Sequence, residues 1–210
     1  MSDAASLQFV PALVPEEQAR AGFYGLIARL FYAAPDAQLL GELLHAEPFA
    51  AEDGERTSRG DALSDAWHEM VEACRTAFPV VLENEHTELF ATPGKAEVTP
   101  YLLHYVMRYE SETPLVELRA QLARWNLARR ENVPEPEDHI AGVCEAMRHA
   151  IAVQQRPLDD QKLFFERFIY RGAMGFCDAV SASEKARFYR LVARFASAFF
   201  EIEREAFEIA

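Results

Sequence analysis

Two stretches place a glutamate three residues ahead of a histidine, Glu42-Leu43-Leu44-His45 and Glu83-Asn84-Glu85-His86, and Asp65 with His68 repeats the spacing with a shorter acid. On a helix, positions i and i+3 project to one side. Such a pair can therefore offer a carboxylate and an imidazole to one metal ion, as in helical di-iron proteins. The chain has 34 acidic residues and 6 histidines, so about one such pair arises by chance and a few are weak evidence for the motif. Glu42 also lies on a short segment ending before Pro48, a poor place for a buried ligand. His139, Cys144 and His149 follow one another at intervals of five, which spreads them around a helix instead of along one face. The reading expects no metal site, with a helical metal-binding protein or enzyme as the alternative.

Other catalytic patterns are missing from the sequence. Gly94-Lys95 lacks the earlier glycine of a phosphate-cradling loop, there is no G-x-G-x-x-G, and no G-x-S-x-G elbow occurs. No constellation here points to an enzyme, and no bound cofactor is expected.

Composition narrows the partner. Half of the residues are apolar, with 15 Phe and 7 Tyr, enough for a ring-rich globular core. A net charge of −13 disfavours nucleic acid, which calls for clustered Lys and Arg. It suits a basic partner, or simply solubility. Cys74, Cys144 and Cys177 are widely spaced and odd in number, which fits buried reduced thiols and not a disulfide framework. With no basic leader and no long apolar run, the expectation is a cytoplasmic protein without membrane insertion.

The elements that must position any site read as helices throughout, so the expected fold class is all-α. Glu16 to Tyr32 carries Ala19, Phe23, Leu26, Ile27 and Leu30 on one face, with Pro15 suited to the first turn. A shorter helix spans Asp36 to His45. Residues 51 to 60 read as a loop. A stretch from Asp61 to Ala91, interrupted near Pro79, buries Trp67, Val71, Cys74 and Phe78. Thr113-Pro114 opens a helix that runs to about Arg130. Residues 131–136, with Pro134 and Pro136, divide an N-terminal part (1–130) from a C-terminal part (137–210), and permit exchange of subdomains between two chains. Beyond them a helix covers Glu137 to Gln154, and a second starts near Asp159 and breaks at Gly172 or Gly175. The last, with Phe188, Leu191, Val192, Phe195, Phe199, Ile202, Ala206 and Ile209 in a +3/+4 rhythm, is introduced by a Ser181/Glu184 capping box.

One joint stands out against this plain scaffold. Glu85-His86-Thr87-Glu88-Leu89-Phe90 ends a helix, Pro93-Gly94 breaks it, and Pro100-Tyr101-Leu102-Leu103-His104-Tyr105 follows. With Pro136-Glu137-Asp138-His139-Ile140 after the hinge, it resembles the TorD/DmsD family of cytoplasmic chaperones that mature molybdenum-containing redox enzymes. That family carries Glu-(aromatic)-x-x-Leu-Phe, a Pro-containing loop, Pro-Tyr-x-Ser-x-Tyr, and a later Pro-Asp-His-Leu element. The resemblance covers essentially the whole chain. His86 stands for the usual aromatic and Leu103 for the serine, and one residue is inserted between Pro136 and Asp138. Phe168 and Gly172 stand where the family often has His and Trp. These departures bear on the choice of client.

The resemblance implies a single TorD-like helical domain. It also implies binding of the client precursor through its twin-arginine signal peptide, and assistance with cofactor insertion before export. Carried onto this chain, the peptide-binding set is Glu85, Leu89, Phe90, Pro93, Pro100, Tyr101, Tyr105, Asp138 and His139. Asp138 and Glu85 would supply acid for a basic peptide, the rings an apolar wall, and His139 a group whose charge changes near neutral pH. Asp138 fits equally as a helix cap with His139 bonded across the hinge, and Leu89 and Phe90 fit core packing.

Overall fold

The computed structural model describes residues 12–46, 58–91, 96–106, 114–129 and 135–209. Pro93, Thr113 and most of the expected linker, residues 131–134, lie outside them. The chain is all-α: among the described residues no strand occurs, only one isolated bridge between Tyr101 and His139.

Helix α1 (Pro15–Tyr32) starts at its proline and packs along α7 (Ile140–Ala152). Its buried face is Ala21, Tyr24, Ile27, Ala28, Leu30 and Phe31, turned from the expected one by the two large rings, and Ala19 is exposed. In α2 (Ala37–His45), the Asp36 carboxylate accepts from the Leu39 N–H at 2.8 Å, an ordinary N-cap. Helix α3 opens at Ser58 (Ser58–Cys74), inside the segment read as loop. Pro79 starts α4 (Pro79–His86) as expected, but Phe78 is a correction. It stands extended as the N-cap of α4 and is 68% exposed, because the break at Pro79 takes it off the α3 face. A π-helical turn, Thr87–Ala91, ends α4. Short α5 (Leu103–Val106) and α6 (Pro114–Arg124) follow.

The C-terminal half departs from expectation in two places. Helix α8 (Leu158–Phe164), a π-helical turn (Phe165–Tyr170) and α9 (Arg171–Ala182) form one continuous rod through Gly172 and Gly175. The glycines do not break it. They make room for α5: a Cβ on Gly172 would stand 2.7 Å from both Cβ and carbonyl O of Leu102, and one on Gly175 would stand 2.9 Å from Cβ of Tyr105. Ser181 lies inside α9, so the capping box does not form. Helix α10 (Phe188–Ile209) starts later, and its cap comes from another part of the chain.

Helix α10 packs between α3 and α9, and one continuous apolar core joins α1, α3, α7, α9 and α10. A polar cluster ties α1 to α10 inside it. Glu203, 1% exposed, accepts from Arg20 Nε at 2.7 Å, Arg20 Nη2 at 2.9 Å and the Tyr24 hydroxyl at 3.0 Å. Such a carboxylate is tolerable in a core only because three donors meet it, and losing one partner would leave an uncompensated charge.

The two glycine roles separate by substitution. Gly172→Ala drives a Cβ into fixed Leu102 backbone and should lower unfolding stability by about 1–3 kcal/mol. Gly22→Ala, on α1 with open space around it, should be neutral or raise stability by up to about 1 kcal/mol. Chemical denaturation of both variants checks this, and equal effects would contradict the close approach of α5.

Candidate functional site: a ring-lined cleft with one acidic wall

Residues far apart in sequence meet through two backbone hydrogen bonds. Leu102 N–H donates to the Asp138 carbonyl and Ile140 N–H to the Pro100 carbonyl, each at 2.9 Å. This antiparallel bridge sets Tyr101 opposite His139, so the segment after the π-helical turn and the start of α7 become one surface. The Asp138 side chain strengthens the joint by accepting from the Leu103 N–H at the start of α5. Burial pushes its carboxyl above the ordinary value, opposed by bonds from its own and the Leu103 backbone N–H.

Beside the bridge opens a cleft of about 670 Å³. Phe31 and Tyr32, at the end of α1, form one side. His86, Phe90 and Ala91 form the floor, and Pro100, Tyr101, Glu135 and His139 close the other wall. Phe90 is held by Phe31, Phe176 and Tyr189, with ring centroids 6.0, 5.8 and 5.2 Å away. The Tyr101 hydroxyl donates to Glu135 Oε2 at 2.5 Å, and that bond pushes the phenol up to about 12. The π-helical turn that presents Phe90 is a conformation often found at functional sites.

The sequence-predicted residues divide by role. Phe90, Pro100, Tyr101 and His139 line the cleft. Leu89 is fully buried, and its carbonyl accepts from the Val98 N–H at 3.0 Å. Tyr105 rests on Gly175 and donates to the Thr99 carbonyl at 2.8 Å. Glu85 faces elsewhere: its carboxylate accepts from the Arg187, Phe188 and Tyr189 N–H groups at 2.8, 3.3 and 2.9 Å. It is therefore the cap of α10, satisfying donors the helix cannot pair itself and complementing the positive helix end. Sequence reasoning left out Phe31, Tyr32 and Glu135 as site residues, because α1 was read as scaffold and Glu135 as linker.

His139 is the N-cap of α7. Its Nδ1 accepts from the Ala141 N–H at 3.1 Å, which puts the proton of the neutral ring on Nε2. Burial lowers its pKa from 6.5 to about 4, with Glu135 opposing and His86 adding to the shift. The expected change of charge near neutral pH is thus corrected: the ring stays uncharged there. His86 is held below its ordinary value by burial too, its Nε2 lying 3.4 Å from the Phe31 carbonyl and its ring 5.2 Å from Phe90 and 5.5 Å from Tyr189. It packs as one more ring.

The first Glu-x-x-His pair of the sequence is engaged otherwise. Glu42 bonds Arg29 and Gln38, and His45 bonds the Gly41 carbonyl. Among the described residues no three His, Cys, Asp or Glu side chains converge on a metal-sized site, and no helix is long and apolar enough to cross a membrane.

Residues 58–178, more than half of the chain and the stretch that carries both sides of the bridge, match the family described as nitrate reductase delta subunit. The chain belongs to that family. Across nearly its full length it also resembles the chaperone protein TorD of Shewanella loihica, with 28% identity over 204 residues covering 91% of this chain and 94% of the relative. The family assignment is thus to TorD-like chaperones. A larger cleft, of about 810 Å³, lies between α6 and α8. It contains none of the expected peptide-binding residues, although Phe168 lines it. Arg124, Arg156 and Arg167 line it, with Arg156 and Arg167 paired to Asp160 and Glu117, a charge pattern that disfavours a basic ligand.

The buried His139 predicts a pH dependence. Its folded pKa lies below the unfolded one, so the unfolded chain binds the extra proton more readily. The stability contributed by the neutral ring is complete above pH 6.5 and is lost as pH falls towards 4, by roughly 3 kcal/mol at most. His139→Asn keeps a side-chain cap and should flatten the stability–pH curve in that window. Identical slopes in urea titrations of the two proteins would contradict the assignment.

Proposed function

We propose that the bridge cleft is the binding site for the twin-arginine signal peptide of a molybdenum-cofactor oxidoreductase precursor. The chain would act in the cytoplasm as a non-enzymatic chaperone, holding the precursor back while its cofactor is inserted. Family membership and the TorD likeness support the class of activity. The observation that carries the ligand is the joining of the two motif segments into one cleft with rings on three sides and a carboxylate at one wall. A signal peptide of this class has a basic front and an apolar middle. An apolar groove with an acidic edge suits such a segment, and a net charge of −13 on the whole chain draws it in.

The chemistry asked of the site is recognition only. Phe90 presents its exposed edge without needing to move, because Phe31 and Tyr189 fix its ring from behind. Tyr101 and His139 offer a hydroxyl and an Nε2–H to the peptide backbone at the cleft wall.

Isothermal titration with a synthetic peptide carrying two consecutive arginines and the following apolar stretch tests the reading. Binding should be micromolar and should weaken as salt is raised. Phe90→Ala should weaken it about tenfold or more, while Leu163→Ser, on the rim of the other cleft and 66% exposed, should leave it unchanged. Absence of binding to any such peptide or to an apo-precursor would sink the proposal.

A further inference from the structure

The acid in this cleft is not on the residues that the motifs suggest. The carboxylates of Glu85 and Asp138 accept from backbone N–H groups. Glu135, between two prolines and half-buried at the cleft wall, is different. Its Oε2 accepts from Tyr101, while Oε1 takes no hydrogen bond and the carboxylate forms no ion pair among the described residues. Arg129 donates to the Glu135 backbone carbonyl at 3.5 Å. Tyr32, which lines the same cleft, is 55% exposed, whereas Phe31, Phe90 and His139 are buried. The His139 ring lies 6.4 Å from Tyr32 and 5.8 Å from Tyr101, so a neutral imidazole neighbours both phenols and brings no competing positive charge.

We infer that Glu135, Tyr101 and Tyr32 form a subsite that takes one arginine side chain of the bound peptide and discriminates it from lysine. The inference rests on the peptide-binding reading above and names what that site selects. A half-buried carboxylate with an unused oxygen attracts a cation, and the Tyr101 hydroxyl fixes its orientation in advance, so little ordering remains on binding. A guanidinium is planar, weakly hydrated and forked: it can lie on the Tyr32 ring while its N–H groups meet Glu135. An ammonium is a compact, strongly hydrated charge that gains less from the ring and makes no two-point contact. The arginine of the pair that sits here is thereby read one at a time, with the apolar stretch continuing over Phe90.

Titration of three peptides into wild type, Glu135→Gln and Tyr32→Leu tests this: the diarginine peptide and its two single Arg→Lys versions. Gln still accepts from Tyr101, so the wall stays intact, which circular dichroism and the thermal midpoint verify. Wild type should lose roughly tenfold in affinity for one of the two lysine peptides and much less for the other. Glu135→Gln should bind the diarginine peptide about tenfold more weakly and lose that discrimination, and Tyr32→Leu should do the same by roughly threefold. If Glu135→Gln weakens all three peptides equally, or none, the subsite assignment is overturned while peptide binding stands. If wild type binds none of the three, the peptide-binding reading falls and the subsite with it.

Discussion

Two hydrogen bonds between backbones, Leu102 to Asp138 and Ile140 to Pro100, decide what this surface is. They are short in reach but join the segment after α4 to the start of α7, and α7 is the helix on which α1 packs. The Tyr101–His139 wall of the cleft is registered through them. Tyr101 faces His139 because the bridge is antiparallel at that pair. Tyr105 and Leu102 reach Gly175 and Gly172 of α9 because the bridge sets where α5 begins. Asp138 holds that beginning by accepting from Leu103. A buried polar backbone must be paired somewhere, and here pairing and site construction are the same contacts.

Around the bridge, charged groups serve the scaffold more than the surface. Glu85 closes the N-terminus of α10 across the fold, in place of a cap from the local sequence. Glu203 binds Arg20 and Tyr24 inside the core, fixing α10 to α1. Both carboxylates are surrounded by donors, which leaves them nothing to offer a ligand. In a chain this acidic, the useful acid is the one whose coordination is incomplete, and at the cleft that is Glu135. His86 and His139 complement it by staying neutral: burial keeps their rings from charging, so they add aromatic surface without repelling a cation.

Much of this was legible in the sequence, and for identifiable reasons. Helices α1, α2 and α7 follow from apolar periodicity, and the break at Pro79 from the missing backbone donor. The two motif segments were found as motifs, since prolines and tyrosines gathered at one joint are unusual in a helical scaffold. What escaped were effects that exist only in three dimensions. Gly172 and Gly175 read as breakers because the neighbour that requires them, α5, is about 70 residues away in sequence and propensity is a local argument. The Ser181/Glu184 box satisfied a local rule that lost to a better cap from Glu85. Phe78 matched the +4 rhythm of α3, yet Pro79 rotated it out. Glu135 and Tyr32 sat in segments read as linker and scaffold, and only their convergence on one cleft gives them a role.

The central claim is that the bridge cleft, and not the larger arginine-lined cleft between α6 and α8, receives the peptide. Amide NMR of isotope-labelled protein titrated with the diarginine peptide addresses it most directly. The account predicts the largest shifts at Tyr32, His86, Tyr101, Glu135 and His139, with Trp125, Arg156 and Leu163 nearly unmoved. Shifts gathered on Trp125, Arg156 and Leu163, with the bridge residues silent, would contradict it.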